Sequence, residues 1–164
     1  MANFESRIEC VKRNLNFLQS VNEHSNEYWD WQVTISFYVS VHLVNAHLDK
    51  KADLHYKTHD KVDLALNFAN KLSPCRLSEA NYLSFRKLRN LSRHSRYLIN
   101  DDPKNTEDGR GYLTYDRHLT KAIKALDDLM KYVNSEYHED LPKMEIKCEG
   151  LSETLTYFSK KSYH

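Results

Sequence analysis

Residues 31–48 read WQVTISFYVSVHLVNAHL and contain neither glycine nor proline. Apolar side chains recur nearly all round a helix wound from this segment, which is typical of the central helix of a bundle. The β-branched residues would also suit a strand, but about twenty residues without a turn signal exceed the usual length of one. We therefore predict a long central helix that runs from about Glu27 to Leu48.

Apolar residues at helical spacing predict four more helices around this one. Beyond residue 137 the pattern changes, because Met144–Cys148 and Thr154–Phe158 alternate weakly and predict a short hairpin or strand pair. The expected fold class is all-α. A four- to five-helix up-and-down bundle spans residues 1–137, and a C-terminal tail over 138–164 packs on the bundle or on a dimer partner as a β-hairpin or extended segment. The four further helices cover about residues 3–21, 58–72, 78–99 and 114–136.

The composition limits the function classes. Only three glycines and three prolines occur among 164 residues, and this scarcity favours long helices over turn-rich sandwiches and barrels. The 24 basic and 23 acidic side chains give a net charge of +1, which excludes a polycationic coat for nucleic acid but permits a local basic site. Three separated cysteines without a CxxC pair indicate free thiols. No apolar signal segment opens the chain and polar residues interrupt residues 31–48, so we expect a cytoplasmic protein without a membrane span.

The predicted fourth helix carries Arg89 and His94, five positions apart, with Asn90 beside the arginine and Tyr97 three residues after the histidine. An arginine can hold a phosphate through paired charge-assisted hydrogen bonds, and a histidine can transfer a proton near neutral pH. These are the minimum groups for cleaving an RNA backbone without a metal. Residues five apart are about 140° apart around a helix axis, so the two side chains do not lie side by side in one chain. The alternative interpretation is a solvated helix face with a surface histidine.

Four arginines of this helix fall within about 80° of one face. A cationic face of this kind suits the phosphate backbone of RNA, and Tyr97 is available to stack against a base. The alternative is that the arginines pair with the acidic loop that follows, at Asp101, Asp102, Glu107 and Asp108. We name the four residues the arginine face; they are Arg86, Arg89, Arg93 and Arg96.

The segment at residues 31–48 and the Arg89-Asn90-x-x-x-His94 pattern together resemble the HEPN superfamily of helical domains, over roughly Tyr28–Tyr132. The resemblance implies a homodimeric bundle in which two Arg/His motifs face each other across a cleft. Active members are metal-independent endoribonucleases of toxin–antitoxin and phage-defence systems, and other members are inactive nucleotide-binding or scaffold domains. For this chain it implies that Arg89 holds the scissile phosphate, His94 transfers protons and Asn90 helps to orient them, with no cofactor.

Two main hypotheses follow for function. The leading one is a HEPN-like endoribonuclease that leaves 2′,3′-cyclic phosphate ends at a dimer cleft. Its nucleic-acid-binding residues are Arg86, Arg93, Arg96 and Tyr97. The second is the same bundle without turnover, which holds RNA, a nucleotide, or a protein partner such as an antitoxin or a nucleotidyltransferase.

A metal-dependent bundle enzyme is the third and weaker hypothesis. His55 and His59 are four residues apart, and His42 and His47 lie on the preceding predicted helix. However, the first pair straddles a predicted helix start, and no Glu or Asp forms an ExxH pair with either member. We therefore expect no metal site, and we interpret His59 as a residue that helps to begin the third helix.

Overall fold

The computed structural model describes residues 3–97 and 113–161. Within these ranges the chain forms five α-helices followed by two short strands, which confirms the predicted all-α bundle with short C-terminal strands. The helices are α1 (Phe4–His24), α2 (Trp29–Ala52), α3 (His59–Leu66), α4 (Glu79–Tyr97) and α5 (Asp116–Tyr137), and the strands are β1 (Met144–Ile146) and β2 (Phe158–Lys160).

Helix α2 lies at the centre and packs against α1, α4 and α5. Its apolar residues are buried on several sides at once, and Phe37 is fully enclosed. Two buried hydroxyls are satisfied inside the helix, since Ser36 Oγ donates to the Gln32 carbonyl at 2.8 Å and Ser40 Oγ to the Phe37 carbonyl at 2.6 Å. The central helix predicted from residues 31–48 is therefore present, and its buried hydroxyls cost little because its own carbonyls accept from them.

Side-chain caps fix where two of the outer helices begin. The Asn3 side chain accepts from the Ser6 backbone N–H at 3.0 Å where α1 starts, and the Thr58 hydroxyl accepts from the Lys61 N–H at 3.4 Å where α3 starts. The predicted start of the third helix is therefore confirmed. The predicted end of the fourth helix, near Ile99, lies outside the described residues.

The third helix is shorter than the sequence predicts, since α3 ends at Leu66 rather than near Leu72. Just beyond it the Asn67 side chain accepts from a backbone N–H two residues later at 2.9 Å, which closes a turn in place of the next helical bond. Ser73 Oγ then donates to the Ala65 carbonyl at 2.6 Å and ties the turns back to α3. Local hydrogen bonds from side chains thus compete successfully with helix propagation.

The two strands pair in parallel, with Met144 opposite Phe158. Of the two predicted arrangements the strand pair is therefore present and the hairpin is not. A hairpin reverses the chain directly, whereas here the residues between the strands lie against α5 before the second strand runs in the same direction as the first.

Two carboxylates of α5 hold the connection between the strands in place. Asp116, at the start of the helix, accepts from the backbone N–H groups of Glu149 and Gly150 at 3.0 and 2.9 Å. Asp127 is 1% exposed and accepts from the Tyr157 N–H at 2.7 Å. Because a buried carboxylate is costly without donors, these bonds fix the tail against the bundle.

Apolar side chains reach the surface in a groove between α1 and α2, lined by Phe17, Val21, Tyr28 and Trp31. Trp31 is 59% exposed there, in contrast to the enclosed Phe37 on the same helix. Within residues 3–97 and 113–161, none of the helices combines the length and the apolar character needed to cross a membrane.

Candidate nucleic-acid interface

Helix α4 turns one face to the core and carries its arginines along the adjacent flank. Phe85, Leu88 and Ser92 are buried at helical spacing, and the Ser78 hydroxyl accepts from the Asn81 N–H at 3.3 Å in the first turn. The apolar spacing therefore sets the direction of the basic side chains, which are those of the arginine face.

Two members of the arginine face pair with carboxylates of α3. Arg86 Nη1 lies 3.1 Å from Asp63 Oδ2, which also accepts from the Tyr82 hydroxyl at 3.1 Å. Arg89 Nη2 donates to Asp60 Oδ1 at 2.6 Å, and its Nη1 lies 3.6 Å from Asp63 Oδ1. The hydrogen bond from Arg89 holds the pKa of Asp60 below its usual value. Arg86 and Arg89 therefore have acidic neighbours in the preceding helix, whereas the acidic loop of the alternative interpretation lies outside the described residues.

The two C-terminal members of the arginine face are placed differently. In the part of the chain that the structure describes, neither Arg93 nor Arg96 has a carboxylate within ion-pair distance. Arg93 is exposed. The Arg96 guanidinium lies over the rings of Tyr97 and Phe37, with its carbon 5.0 and 5.8 Å from their centroids, and its Nε donates to the Ser92 carbonyl at 3.4 Å. This end of α4 offers positive charge to an anionic ligand.

His94 lies on another side of α4, against the start of α5. Its Nε2 is 3.2 Å from the Leu113 carbonyl, so this nitrogen carries a proton and donates. Its ring stacks on that of His118, with centroids 5.0 Å apart and planes 25° apart. Burial and the adjacent His94 together lower the pKa of His118 to about 4, so the His118 ring is neutral at pH 7.

Arg89 and His94 are therefore not brought together within one chain. Arg89 faces α3 while His94 faces α5, as their separation around the helix axis predicts. Asn90 is exposed between them. Tyr97 is 62% exposed and lies beneath Arg96, where one face of its ring is covered by the guanidinium.

His59, by contrast, lies beside the arginine face. It is the first residue of α3, and its ring centroid is 5.5 Å from that of Phe37, which Arg96 also contacts. Burial lowers the pKa of His59, and the charges of Arg89 and Arg96 lower it further, with Asp60 opposing them. The structure thus places a neutral imidazole next to two guanidinium groups.

The histidines considered for a metal do not share a site. His55 lies before α3 and is held by two carboxylates, with Nδ1 2.6 Å from Asp49 Oδ1 and Nε2 3.0 Å from Asp53 Oδ1. His47 is buried, where its Nε2 donates to the Cys75 carbonyl at 2.9 Å. Among the described residues no three His, Cys, Asp or Glu side chains converge as metal ligands would.

The sequence did not indicate the place of four residues in this region: His59, Asp60, Asp63 and His118. The spacing of Asp60 and Asp63 offers a signal, since residues three apart on a helix share a side and can face arginines on a neighbour. For His118 the only local signal is its place three residues after Tyr115, whose N–H it accepts at 2.9 Å in the first turn of α5. For His59 the sequence contains no signal, because its neighbours come from distant parts of the chain.

Comparisons with known proteins leave the family of this chain open. No family model matches it, and neither the curated proteins nor the solved structures contain a significant match. The functional assignment therefore depends on the residues of the arginine face and the histidines on either side of it.

Proposed function

We propose that this protein is a HEPN-like RNA-binding bundle that cleaves RNA without a metal, as toxin or phage-defence nucleases do. The observation that carries the proposal is the arginine face, whose Arg93 and Arg96 lack ion-pair carboxylates within the described chain. Phosphate groups are the ligands that such a concentration of guanidinium groups favours. Exposed Tyr97 adds a ring on which a base can stack.

Arg89 holds the scissile phosphate in this proposal, and Asp60, the nearer of its two carboxylate partners, is easily displaced. The Asp60 side chain is 89% exposed, so its ion pair with Arg89 contributes little and a phosphate can replace it. His94 transfers protons and Asn90 helps to orient them. Because Arg89 and His94 face different helices, the reacting unit is a homodimer in which Arg89 of one chain meets His94 of the other.

Cleavage of total RNA in the presence of EDTA tests the activity. Wild-type protein should release fragments that end in 2′,3′-cyclic phosphate, and His94→Ala should reduce the rate by about 10²–10⁴-fold because it removes a proton-transfer group. Arg13→Ala is the matched control, since Arg13 is an exposed arginine of α1 outside the arginine face. Full activity of the His94 variant would exclude its proposed role.

Mixing two inactive variants tests the shared site. Arg89→Ala and His94→Ala proteins, unfolded together and refolded, should regain about a quarter of wild-type activity, because about half of the dimers are mixed and each keeps one intact site of two. Each variant refolded alone should stay inactive. If the mixture also stays inactive while wild type cleaves, the two residues act from the same chain.

A second candidate function is favoured by the ion pairs that Arg86 and Arg89 already form with Asp63 and Asp60. Paired arginines suit a bundle that binds RNA, a nucleotide, or a partner such as an antitoxin or nucleotidyltransferase but catalyses no reaction. Fluorescence anisotropy with a labelled RNA distinguishes the two. Binding that weakens in Arg93→Ala and Arg96→Ala, without cleavage under any condition tested, supports the binding function alone.

A further inference from the structure

A buried aromatic ring brings a histidine and an arginine from two helices to one place. Phe37, fully enclosed in α2, has the His59 ring 5.5 Å from its centroid and the Arg96 guanidinium 5.8 Å from it. The enclosed Phe37 ring is thus a contact that both of these exposed side chains share.

Arg89 also lies near His59, because it pairs with Asp60, the residue that follows His59 in α3. Its Nη2 donates to Asp60 Oδ1 at 2.6 Å, and Asp60 directly follows His59 at the start of that helix. The Arg89 side chain is 19% exposed, which means that its stem is held while its end reaches the surface beside Asp60. Two cations and one imidazole therefore converge where α3 begins against α4.

Burial and the charges around the His59 imidazole determine its protonation state. Burial lowers the pKa of His59 first, Arg89 and Arg96 lower it further, and Asp60 is the only group that raises it among those acting on it in the described chain. His59 is therefore neutral at pH 7 and can accept a proton. A bound phosphodiester would offset the charges of both arginines and make the imidazole more basic at the moment of binding.

We infer that His59, Arg89 and Arg96 form a phosphodiester-binding site in which His59 accepts the proton of the attacking 2′-hydroxyl. This inference rests on the proposed function and adds the general base to it. The 2′ oxygen forms a bond to phosphorus as the bond from phosphorus to the 5′ oxygen breaks, which leaves a 2′,3′-cyclic phosphate. The 2′-hydroxyl proton goes to His59, and His94 of the second chain gives a proton to the 5′ oxygen.

An NMR titration of the histidine rings tests the site without requiring cleavage. A 2′-O-methyl RNA oligonucleotide, which lacks the attacking hydroxyl, is added to the full chain, and the pKa of His59 is followed by its ring shifts. The pKa should rise when the oligonucleotide binds. Without RNA, the His59 pKa should also be higher in Arg96→Ala than in wild type, because one positive charge beside the ring is gone. Arg13→Ala should leave the His59 pKa unchanged. An unchanged His59 pKa with the oligonucleotide bound, or no binding of the oligonucleotide, would overturn the inference.

The cleavage assay then separates this inference from the proposed function. His59→Ala should lower kcat by about 10²–10⁴-fold with little change in RNA affinity, and added imidazole should restore part of the rate. Thermal unfolding verifies that the variant folds. If His94→Ala abolishes cleavage while His59→Ala leaves it intact, the inference fails and the proposed function stands. If wild type cleaves no RNA, the proposed function fails, and the titration still decides whether the site binds a phosphodiester.

Discussion

The imidazole of His118 is stacked on that of His94 with centroids 5.0 Å apart, at the junction of α4 and α5. Its Nδ1 accepts from the Tyr115 backbone N–H at 2.9 Å, so the ring is neutral with its proton on Nε2. The side chain thus serves as a cap for α5 and as a flat surface for His94. Adding a proton to it would remove the acceptor and place a charge beside a second imidazole.

We predict a loss of stability at low pH that depends on His118. Its pKa is about 4 in the folded chain, against 6.5 ordinarily, so between pH 6.5 and 4 the unfolded chain binds a proton that the folded chain does not. The free energy of unfolding should therefore fall over this range by about 1–2 kcal/mol, discounted because the ring is half-buried. Urea unfolding at pH 7 and pH 4 should show a smaller fall in His118→Gln. The exposed His24→Gln variant should behave like wild type, and an equal fall in all three proteins would contradict the prediction.

At the scale of elements, helix α3 restrains helix α4. The carboxylates of α3 pair with Arg86 and Arg89. Arg93 and Arg96 lie farther along α4, where no carboxylate in the part of the chain that the structure describes is within ion-pair distance of them. In the described chain, the positive charge of α4 is therefore paired near Arg86 and Arg89 and not paired with carboxylates near its last described turn. Among the described residues, Asp60 is the exposed carboxylate that a ligand at Arg89 has to displace.

We expect Asp60→Asn to strengthen RNA binding. The substitution removes one of the two carboxylates paired with Arg89 and keeps hydrogen-bonding groups at position 60, so affinity should rise by roughly threefold to tenfold and depend more steeply on salt. Anisotropy titrations at several salt concentrations measure both effects. Asp140→Asn, an exposed change of the same charge outside α3 and α4, serves as the control. Equal affinities for the two variants would show that Asp60 does not compete with RNA.

Helices whose apolar residues recur at helical spacing could be predicted from the sequence. Residues 31–48 are apolar nearly all round, and the structure encloses that helix on three sides. The end of α3 depends instead on an Asn67 side-chain bond, and the parallel pairing of β1 with β2 depends on α5 carboxylates many residues away. The arginine face could be predicted from helical spacing, but the position of His59 could not, since no local pattern connects it with Phe37.

Over the whole molecule, Phe37 is where the core and the candidate interface meet. Its ring also lies 6.3 Å from that of Phe85 in α4, so it joins α2, α3 and α4 around one side chain. A change in packing at this point is a change in the positions of His59 and Arg96. The stability of the fold and the proposed RNA binding therefore depend on the same buried side chain.

We predict that Phe37→Ala destabilises the fold by about 3–5 kcal/mol, because it leaves a cavity beneath three helices. Trp31→Ala, on the same helix but 59% exposed, should cost much less. Urea unfolding compares the two variants. Phe37→Leu should retain most of the stability and still weaken RNA binding, because a smaller side chain no longer supports both surface groups. If Phe37→Leu binds RNA as wild type does, the ring does not position them.

The bond between Asp127 and the Tyr157 N–H has a consequence for how the chain is made. Thirty residues separate the carboxylate from its donor, and at roughly 5–20 residues per second a ribosome needs about 1.5–6 s to synthesise them. Throughout that interval Asp127 is already part of the nascent bundle, while the backbone N–H groups that donate to it have not yet been synthesised. The last steps of folding must wait for translation, and an elongation pause before residue 157 would lengthen the time in which the immature chain is exposed to proteases and to aggregation.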